Sequence, residues 1–447
     1  MSDLRSLLQQ AQTAHSKPQP RLGQSPNLCS DNPPRQWTKE QEDFLNDNHP
    51  QLLLSALAGT GKTTLLMEYA RRRPHQTWSF LAFNRSVIEE WKNKAPKNVR
   101  LSTVHQLALK QKGVSIQHKI IEQPMSSNHL SWMTPYDEML QKRPGSPSSA
   151  WSYQDIVKEC LWRYLYGNTR ISDISLVEIF NDETNQDFLS YCTENQKQIV
   201  TDVRALWQAM IDPSNTLPII HDVYLKVFSL SSFEWKGQWM LDEAQDWSPA
   251  FYQNFVQKCP RHLVAGDPFQ KLYEFRMAQK HLSPTPNQHQ HWLTQSFRQG
   301  TGAEETINLL LKKLSSPVLW KAVPSFSCRV SHASQNLEEI QSFNPSVVLA
   351  YDNEKLKQFS KQFPHLSHIP RLTIHASKGL EFSNVWICDD ALPVFVKGSQ
   401  RLSLWYVAIT RAQHALRLPP QSSFLYKNPS TEASSLLQSQ DINFDED

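Results

Sequence analysis

Leu52–Tyr69 reads LLLSALAGTGKTTLLMEY. An apolar run, Leu52-Leu53-Leu54, leads into a loop of small residues, then Gly61-Lys62-Thr63, then a run with helical spacing. Strand, loop and helix in that order make a phosphate-binding loop. The chemistry dictates the residue types. Loop N–H groups must turn inward around a polyphosphate, so the positions held by Ala58, Gly59, Thr60 and Gly61 stay small. The N-terminus of the next helix adds positive partial charge. Lys62 offers a point charge to the β- and γ-phosphates, and the Thr63 hydroxyl, next to Thr64, suits Mg²⁺. One position departs from the usual pattern, whose first glycine is Ala56 here.

A chain of 447 residues exceeds what one compact core organises, so several domains are expected. The hydrophobic fraction of 39% is adequate for folded cores, and a net charge of +3 is too small to mark a nucleic-acid surface by itself. Such a surface would have to be a local cluster. The 6 cysteines are scattered without a CxxC pair, which points away from a zinc site or a disulfide framework and fits a reducing compartment. No apolar run approaches membrane-spanning length, and no signal-peptide core is read at the N-terminus. Glycine is scarce, 12 in all, against an average usage of about 7%. Gly59, Gly61, Gly266 and Gly379 nevertheless fall in motifs that carry chemistry.

Residues 1–35 are rich in Ser, Gln and Pro and read as a disordered tail. Order begins near Trp37. Thr38 suits an N-cap with Gln41 at the capping-box position; the Gln41 amide, a donor beside an acceptor, also suits an adenine edge. Trp78–Phe83 reads as a second buried strand running into Asn84. Polar residues at the carboxyl end of such a strand line the ligand crevice of an open α/β sheet. Val99–Leu109 is a short strand followed by Thr103, His105 and Gln106, of which Thr103 and His105 suit a nucleic-acid phosphate. Residues 110–235 lose the strand pattern and take helical spacing, as in Ile199/Val203/Leu206/Met210. A mostly helical insertion is expected there, with Trp132, Tyr136, Trp151, Trp162 and Trp207 chiefly in its core.

The strand pattern resumes at Trp239-Met240-Leu241 and ends in Asp242-Glu243. Adjacent carboxylates at a strand end are costly unless they serve a charge. Asp242 suits Mg²⁺, and Glu243 suits the task of orienting and deprotonating a water. His262–Ala265 is another strand, ending in Gly266-Asp267-Pro268-Phe269-Gln270, where Gln270 is placed to sense a γ-phosphate. Tyr273 and Phe275 alternate before Arg276, a pattern for base stacking beside a cation. HWLTQSFR at 291–298 offers Phe297 as an adenine-stacking ring and Arg298 as an arginine finger. Val347–Tyr351 opens a second sheet, followed by Arg371–Glu381 (RLTIHASKGLE) and a helical segment with Tyr406, Thr410 and Arg411. The chain closes on a Ser/Gln-rich and then acidic stretch.

These segments, in this order across Trp37–Leu418, resemble the motif set of superfamily 1 helicases of the UvrD/Rep type: ALAGTGKTT, LAFN, TVHQLA, LDEAQD, VAGDPFQKLYEFR, LTQSFR, TIHASKGLEF and YVAITRA. AxAGTGKT, LTQSFR, KGLEF before a strand ending in Asp389-Asp390, and PIIHDVYLKVFSLS at 218–231 resemble the F-box DNA helicase branch. Only a short polar stretch precedes Trp37, so no F-box is expected. The resemblance implies an α/β fold of two RecA-like parallel-sheet domains with ATP between them. Residues 36–109 and 236–288 would form domain 1A, 110–235 a 1B-like helical insertion, 289–420 domain 2A, and 421–447 a flexible acidic tail. About 75 residues separate the LTQSFR and TIHASKGLE motifs, near the lower bound for any domain, so the family's 2B insertion is expected to be absent or vestigial.

Carried over by position, Lys62 and Thr63 would bind phosphate and Mg²⁺, with Ala58, Gly59, Thr60, Gly61, Thr64 and Gly379 around the nucleotide. Asp242 would complete the metal site and Glu243 act as general base. Gln270, Arg298 and Arg411 would report the γ-phosphate, Glu381 hold the ribose, and Gln41 and Phe297 the adenine. Phe83, Asn84, Thr103, His105, Tyr273, Phe275, Thr373 and His375 would face single-stranded DNA. Met277 stands where a glycine is usual, and Arg401 near where an acidic residue is common.

The activity implied is ATP-dependent 3′→5′ translocation on single-stranded DNA with unwinding of 3′-tailed duplex, by a monomer without a membrane partner, in replication, recombination or repair. One alternative keeps the ATPase and changes the work: clearing recombinase filaments or other DNA-bound proteins with little unwinding. A more remote one is a non-enzymatic DNA-binding scaffold with a decayed ATPase, against which stand Lys62, Thr63, Asp242, Glu243, Gln270, Arg298 and Arg411. RNA is a further track, since backbone contacts discriminate poorly. The expected compartment is the nucleoid in a prokaryote or phage host, the nucleus in a eukaryote.

Overall fold

The computed structural model describes residues 36–83, 85–121, 130–140, 151–180, 183, 185–272, 282–389, 391–392 and 398–426. Both tails, and with them Asn84, Tyr273, Phe275, Met277 and Asp390, lie outside the described residues. The chain divides into two compact units: Asp43–Ala56 with Lys62–Trp292, and, within the described residues, 36–42, Leu57–Gly61 and 293–426. The division runs through the phosphate loop itself, between Gly61 and Lys62.

The first unit is built on β1 (Gln51–Ala56), β2 (Trp78–Ala82), β3 (Val99–Thr103), β4 (Gln238–Leu241), β5 (His262–Gly266) and β6 (His289–Leu293), in the order β3-β2-β4-β5-β1-β6. The pairs β3/β2, β2/β4, β4/β5 and β5/β1 are all parallel. Leu52, Leu53 and Leu54 of β1 are fully buried, as an apolar run covered on both faces of a parallel sheet must be. Because β4 and β5 enter between β2 and β1, three neighbouring strands end side by side. The carboxyl ends of β1, β4 and β5 therefore lie along one edge of the sheet, the place where open α/β sheets bind ligands.

β6 differs from the expected boundary at 288. His289–Leu293 is an edge strand of the first sheet, beside β1. Gln290 Nε2 donates to Ser55 Oγ at 2.9 Å, and Asp47 Oδ2 receives His289 Nδ1 and His291 Nε2 at 3.2 and 2.9 Å. This strand gives partners to one side of β1 that would otherwise be a bare edge.

The insertion is mostly helical, with helices Tyr153–Tyr166, Gln186–Glu194, Gln196–Ile211 and His221–Ser229 among its elements. Trp132, Tyr136, Trp162 and Trp207 are buried in it, and Trp151 packs against it partly buried. Its core is continuous with that of the sheet, from Leu53 and Leu81 through Ile156, Val203 and Val223 to Val264. The helices thus form one packed body with the sheet they interrupt.

The second unit holds β7 (Gln295–Ser296) paired with β8 (Lys321–Ala322), and a sheet of β9 (Arg329–Ser331), β10 (Val347–Ala350), β11 (Arg371–Thr373), β12 (Phe382–Ile387) and β13 (Ala412–Arg417). Its order is β11-β10-β12-β13-β9, with every pair parallel. Residues 299–370 supply β8, β9, β10 and helices Glu304–Lys313, Leu337–Phe343 and Asn353–Gln362. That segment belongs to the second sheet and its cover. Among the described residues no helix is long and apolar enough to cross a membrane.

Candidate functional site

Lys62, Thr63 and Thr64 form the first turn of helix Lys62–Arg71, directly after β1 and its loop. Thr63 Oγ1 donates to Asp242 Oδ2 at 2.6 Å, and Lys62 Nζ stands 3.5 Å from Glu243 Oε1. Asp242 and Glu243 come directly after β4. Asp242 is 1% exposed, and its Oδ1 accepts the Glu243 N–H at 2.9 Å. Glu243 sits at φ 53° and ψ 43°, left-handed for a residue with a Cβ. That conformation costs about 1 kcal/mol and turns up most often at functional sites. After β5, Asp267 Oδ2 accepts from Gln270 Nε2 at 2.8 Å. Gln245 ties the loops together: its Nε2 donates to Glu243 Oε2 and its Oε1 accepts the Asp267 N–H. A hydroxyl and a carboxylate oxygen already 2.6 Å apart suit a hard cation with oxygen ligands, so Thr63 and Asp242 fit Mg²⁺.

In the second unit, Gly59 and Gly61 hold φ +76° and +83°, open to glycine without strain. A Cβ on Gly59 would also come within 2.6 Å of Arg298 Cβ. The Gly59 carbonyl accepts from Phe297 N–H at 2.8 Å, the Ala58 N–H donates to Tyr406 Oη at 3.1 Å, and Trp320 Nε1 donates to the Ala58 carbonyl at 3.1 Å. Thr60 is buried with its hydroxyl on the Leu57 carbonyl. Gln41 is 4% exposed; its Nε2 donates to the Thr60 carbonyl and its Oε1 accepts from Thr38 N–H. Its amide is occupied in bracing the loop, where an adenine contact was expected. Phe297, expected to stack on adenine, is 38% exposed.

Arg298 grips Glu381, with Nε at 2.7 Å and Nη2 at 2.6 Å from Oε1, and donates from Nη1 to the Thr410 carbonyl at 3.0 Å. Burial pushes the Glu381 carboxyl up, but the Arg298 charge and hydrogen bond, with Gln413 and Arg411, hold it below the usual range. Glu381 is therefore an arginine partner here, where a ribose contact was expected. Arg411 is 1% exposed and donates to the Val407 and Leu380 carbonyls and to Thr410 Oγ1. Gly379, at φ +81°, has open space where a Cβ would stand.

Of the expected nucleic-acid residues, Phe83 and His105 lie together with ring centroids 5.5 Å apart. Thr103 is buried, and its side chain caps helix Val104–Ala108 by accepting the Gln106 N–H. Thr373 is buried likewise, accepting from Ala376 N–H at 3.1 Å, while His375 meets Tyr351 edge-on. Both threonine hydroxyls thus have structural work. Gln245 and Asp267 join this hydrogen-bond network without a role expected from the sequence. Both stand inside the LDEAQD and VAGDPFQ motifs, but neither sequence position shows that their loops touch.

Burial, and after it the Glu243 charge, push the Asp242 carboxyl up to about 6, against Lys62 and the Thr63 and Glu243 hydrogen bonds. A raised folded-state value means the protonated form is the one favoured by folding. The stability it brings is complete below the unfolded value and is lost as pH rises through about 6. Asp242→Asn removes that loss, and the Thr63 hydroxyl can accept from the new amide. The variant is expected to be more stable than the parent by about 1–3 kcal/mol at about pH 8, with the gap closing toward about pH 4. Melting curves across that range check it. A variant that melts below the parent at every pH would overturn it.

Residues 261–421 match the UvrD-like helicase C-terminal domain family. F-box DNA helicase 1 of Gallus gallus is 27% identical over 274 residues, 59% of this chain and 26% of that protein. F-box DNA helicase protein 1 of Schizosaccharomyces pombe is 28% identical over 325 residues, 68% of this chain and 36% of that protein. The chain thus spans about a third or less of the length of these relatives. Among solved structures, the complex of arterivirus nonstructural protein 10 (helicase) with DNA is similar at a TM-score of 0.36 and 14% identity, covering 87% of this chain and 65% of that one. That likeness is too distant to bear on the fold. The sequence matches, joined to two parallel sheets and a lysine–hydroxyl–carboxylate site after β1 and β4, make the chain similar to the UvrD/Rep-type superfamily 1 helicases, close to the F-box DNA helicase branch.

Proposed function

We propose that this chain is an ATP-dependent 3′→5′ single-stranded DNA translocase and helicase. The observation that carries the reading is the cluster of Lys62, Thr63, Asp242 and Glu243, with Gln245 and Asp267 behind it. Mg²⁺, when bound by Thr63 and Asp242, supplies positive charge to phosphate oxygens. Lys62 is paired with Glu243 in this structure. A polyphosphate is the stronger partner for the ammonium, so binding it frees Glu243 to orient a water and take its proton. Gln245 holds the Glu243 carboxylate in place for that task. Gln270, now on Asp267, is proposed as the amide that exchanges this bond for a γ-phosphate oxygen.

Arg298 is proposed as the arginine finger. Arg411 is the second candidate, and it would have to leave the Leu380 carbonyl and Thr410 to reach a phosphate. Single-stranded DNA is the proposed track, with Phe83 and His105 of the first unit and His375 of the second as the proposed contacts. The eukaryotic relatives favour the nucleus as its compartment. ATP hydrolysis measured with single-stranded DNA, duplex DNA and RNA tests the reading. Single strands are expected to stimulate it by about tenfold or more, and 3′-tailed duplex to be unwound in preference to 5′-tailed. No stimulation by any nucleic acid would refute it.

The second sheet favours a variant of this reading. Residues 299–370 are committed to that sheet and its helices, so the segment that engages duplex in the family has no counterpart there. The second reading is therefore a translocase that clears protein filaments and unwinds little. Strand displacement run beside clearance of a recombinase filament separates the two.

A further inference from the structure

Phe83 lies just past the carboxyl end of β2, and His105 two residues beyond the end of β3, its parallel neighbour. Their rings meet edge to face at 5.5 Å. The series continues beyond the sheet. His221, the first residue of helix His221–Ser229, has its ring 5.9 Å from that of His105, again edge to face at 81°. Below it Tyr224 is 1% exposed, with its ring 6.3 Å from His105. Tyr224 Oη lies 2.7 Å from His221 Nδ1.

Burial pushes the Tyr224 hydroxyl well above the ordinary phenol range, with a further push from Asp222, so Tyr224 meets His221 as a neutral hydroxyl. His221 itself is exposed. The result is a surface imidazole anchored from beneath through Nδ1, with Nε2 on the side away from its anchor, next to the half-buried ring of His105, which in turn meets Phe83. A ring nitrogen for phosphate or base edges beside ring faces is what an unpaired strand requires.

We propose that His221 is a direct contact for single-stranded DNA and that Tyr224 is its positioning residue, so that the helix leading out of the insertion extends the DNA face from β2 and β3. The inference rests on the translocase reading. It gives the PIIHDVYLKVFSLS stretch work at the DNA.

Fluorescence anisotropy of a labelled oligothymidylate tests it on the full chain. His221→Ala is expected to weaken binding about five- to tenfold, with the melting temperature lowered only by the loss of the Tyr224 partner, a loss that Tyr224→Phe in the same chain removes. His221→Gln, which keeps an N–H donor, is expected to recover part of the loss. Tyr224→Phe is expected to weaken binding about two- to threefold in the parent and to have no further effect in His221→Ala, which a merely structural tyrosine would not show. Parent-like affinity in His221→Ala overturns the inference, as does a Tyr224→Phe penalty that persists without His221. Equal weakening on duplex DNA overturns it too. A parent protein that binds no single strand at all removes the translocase reading and this inference with it.

Discussion

Glu243→Gln is expected to bind ATP as tightly as the parent or tighter, and to lose hydrolysis by about 10²–10⁴-fold. The substitution keeps the shape of the side chain and an oxygen that can accept from Gln245. It leaves the left-handed backbone at φ 53° with a residue of the same bulk. What it removes is the proposed base and one negative charge, 3.5 Å from Lys62. Losing that charge frees the ammonium for phosphate and lowers repulsion of the nucleotide, so affinity should not fall. Single-turnover hydrolysis separates the chemical step from release, and titration with a fluorescent nucleotide gives the binding constant. A variant with undiminished DNA-stimulated hydrolysis would remove Glu243 from the mechanism. A variant that fails to bind nucleotide would instead show that the carboxylate serves to hold Lys62.

The location of this site is legible in the sequence, because each motif sits at a strand end and parallel strands bring their carboxyl ends to one edge. Leu52–Leu54 and Trp239–Leu241 announce buried strands by continuous apolarity, and Lys62 and Asp242 come soon after them. What the side chains do on arrival is less legible. Gln41 has the chemistry of an adenine contact and in this structure braces Thr60. Glu381, expected at a ribose, is held by Arg298. Arg411, expected at a phosphate, is enclosed by carbonyls of its own unit. Each of these bonds joins residues whose proximity only the tertiary fold creates. β6 falls on the other side of the expected domain boundary for a related reason: HQHWL lacks the unbroken apolar run that marks a central strand, and edge strands carry weaker patterns. The helices of the insertion can be seen by their period, but a period reveals which face is buried and not what covers it. The shared core from Leu53 to Val264 therefore appears only in the structure.

Arg298→Ala is expected to cut ATP turnover by about 10³–10⁵-fold, the range for loss of an arginine finger. The structure also gives Arg298 a second task, and the test must separate the two. Its guanidinium takes Glu381 through Nε and Nη2 and the Thr410 carbonyl through Nη1. Truncation leaves that carboxylate without its main partner. Glu381 is 41% exposed, so water screens much of the loss and the stability cost is about 1 kcal/mol. The depressed carboxyl sets the sign. Its stabilisation is present above the unfolded glutamate value and disappears as pH falls through the folded one, so the deficit of Arg298→Ala shows at neutral pH and fades in acid. Adding Glu381→Gln removes the orphaned charge and is expected to restore the melting temperature while turnover stays low. Arg298→Lys keeps the charge without the planar fork and is expected to recover little activity. If the double variant recovers turnover along with stability, Arg298 acts by ordering the Glu381 loop. If turnover stays low in a protein that melts like the parent, the arginine acts on the nucleotide.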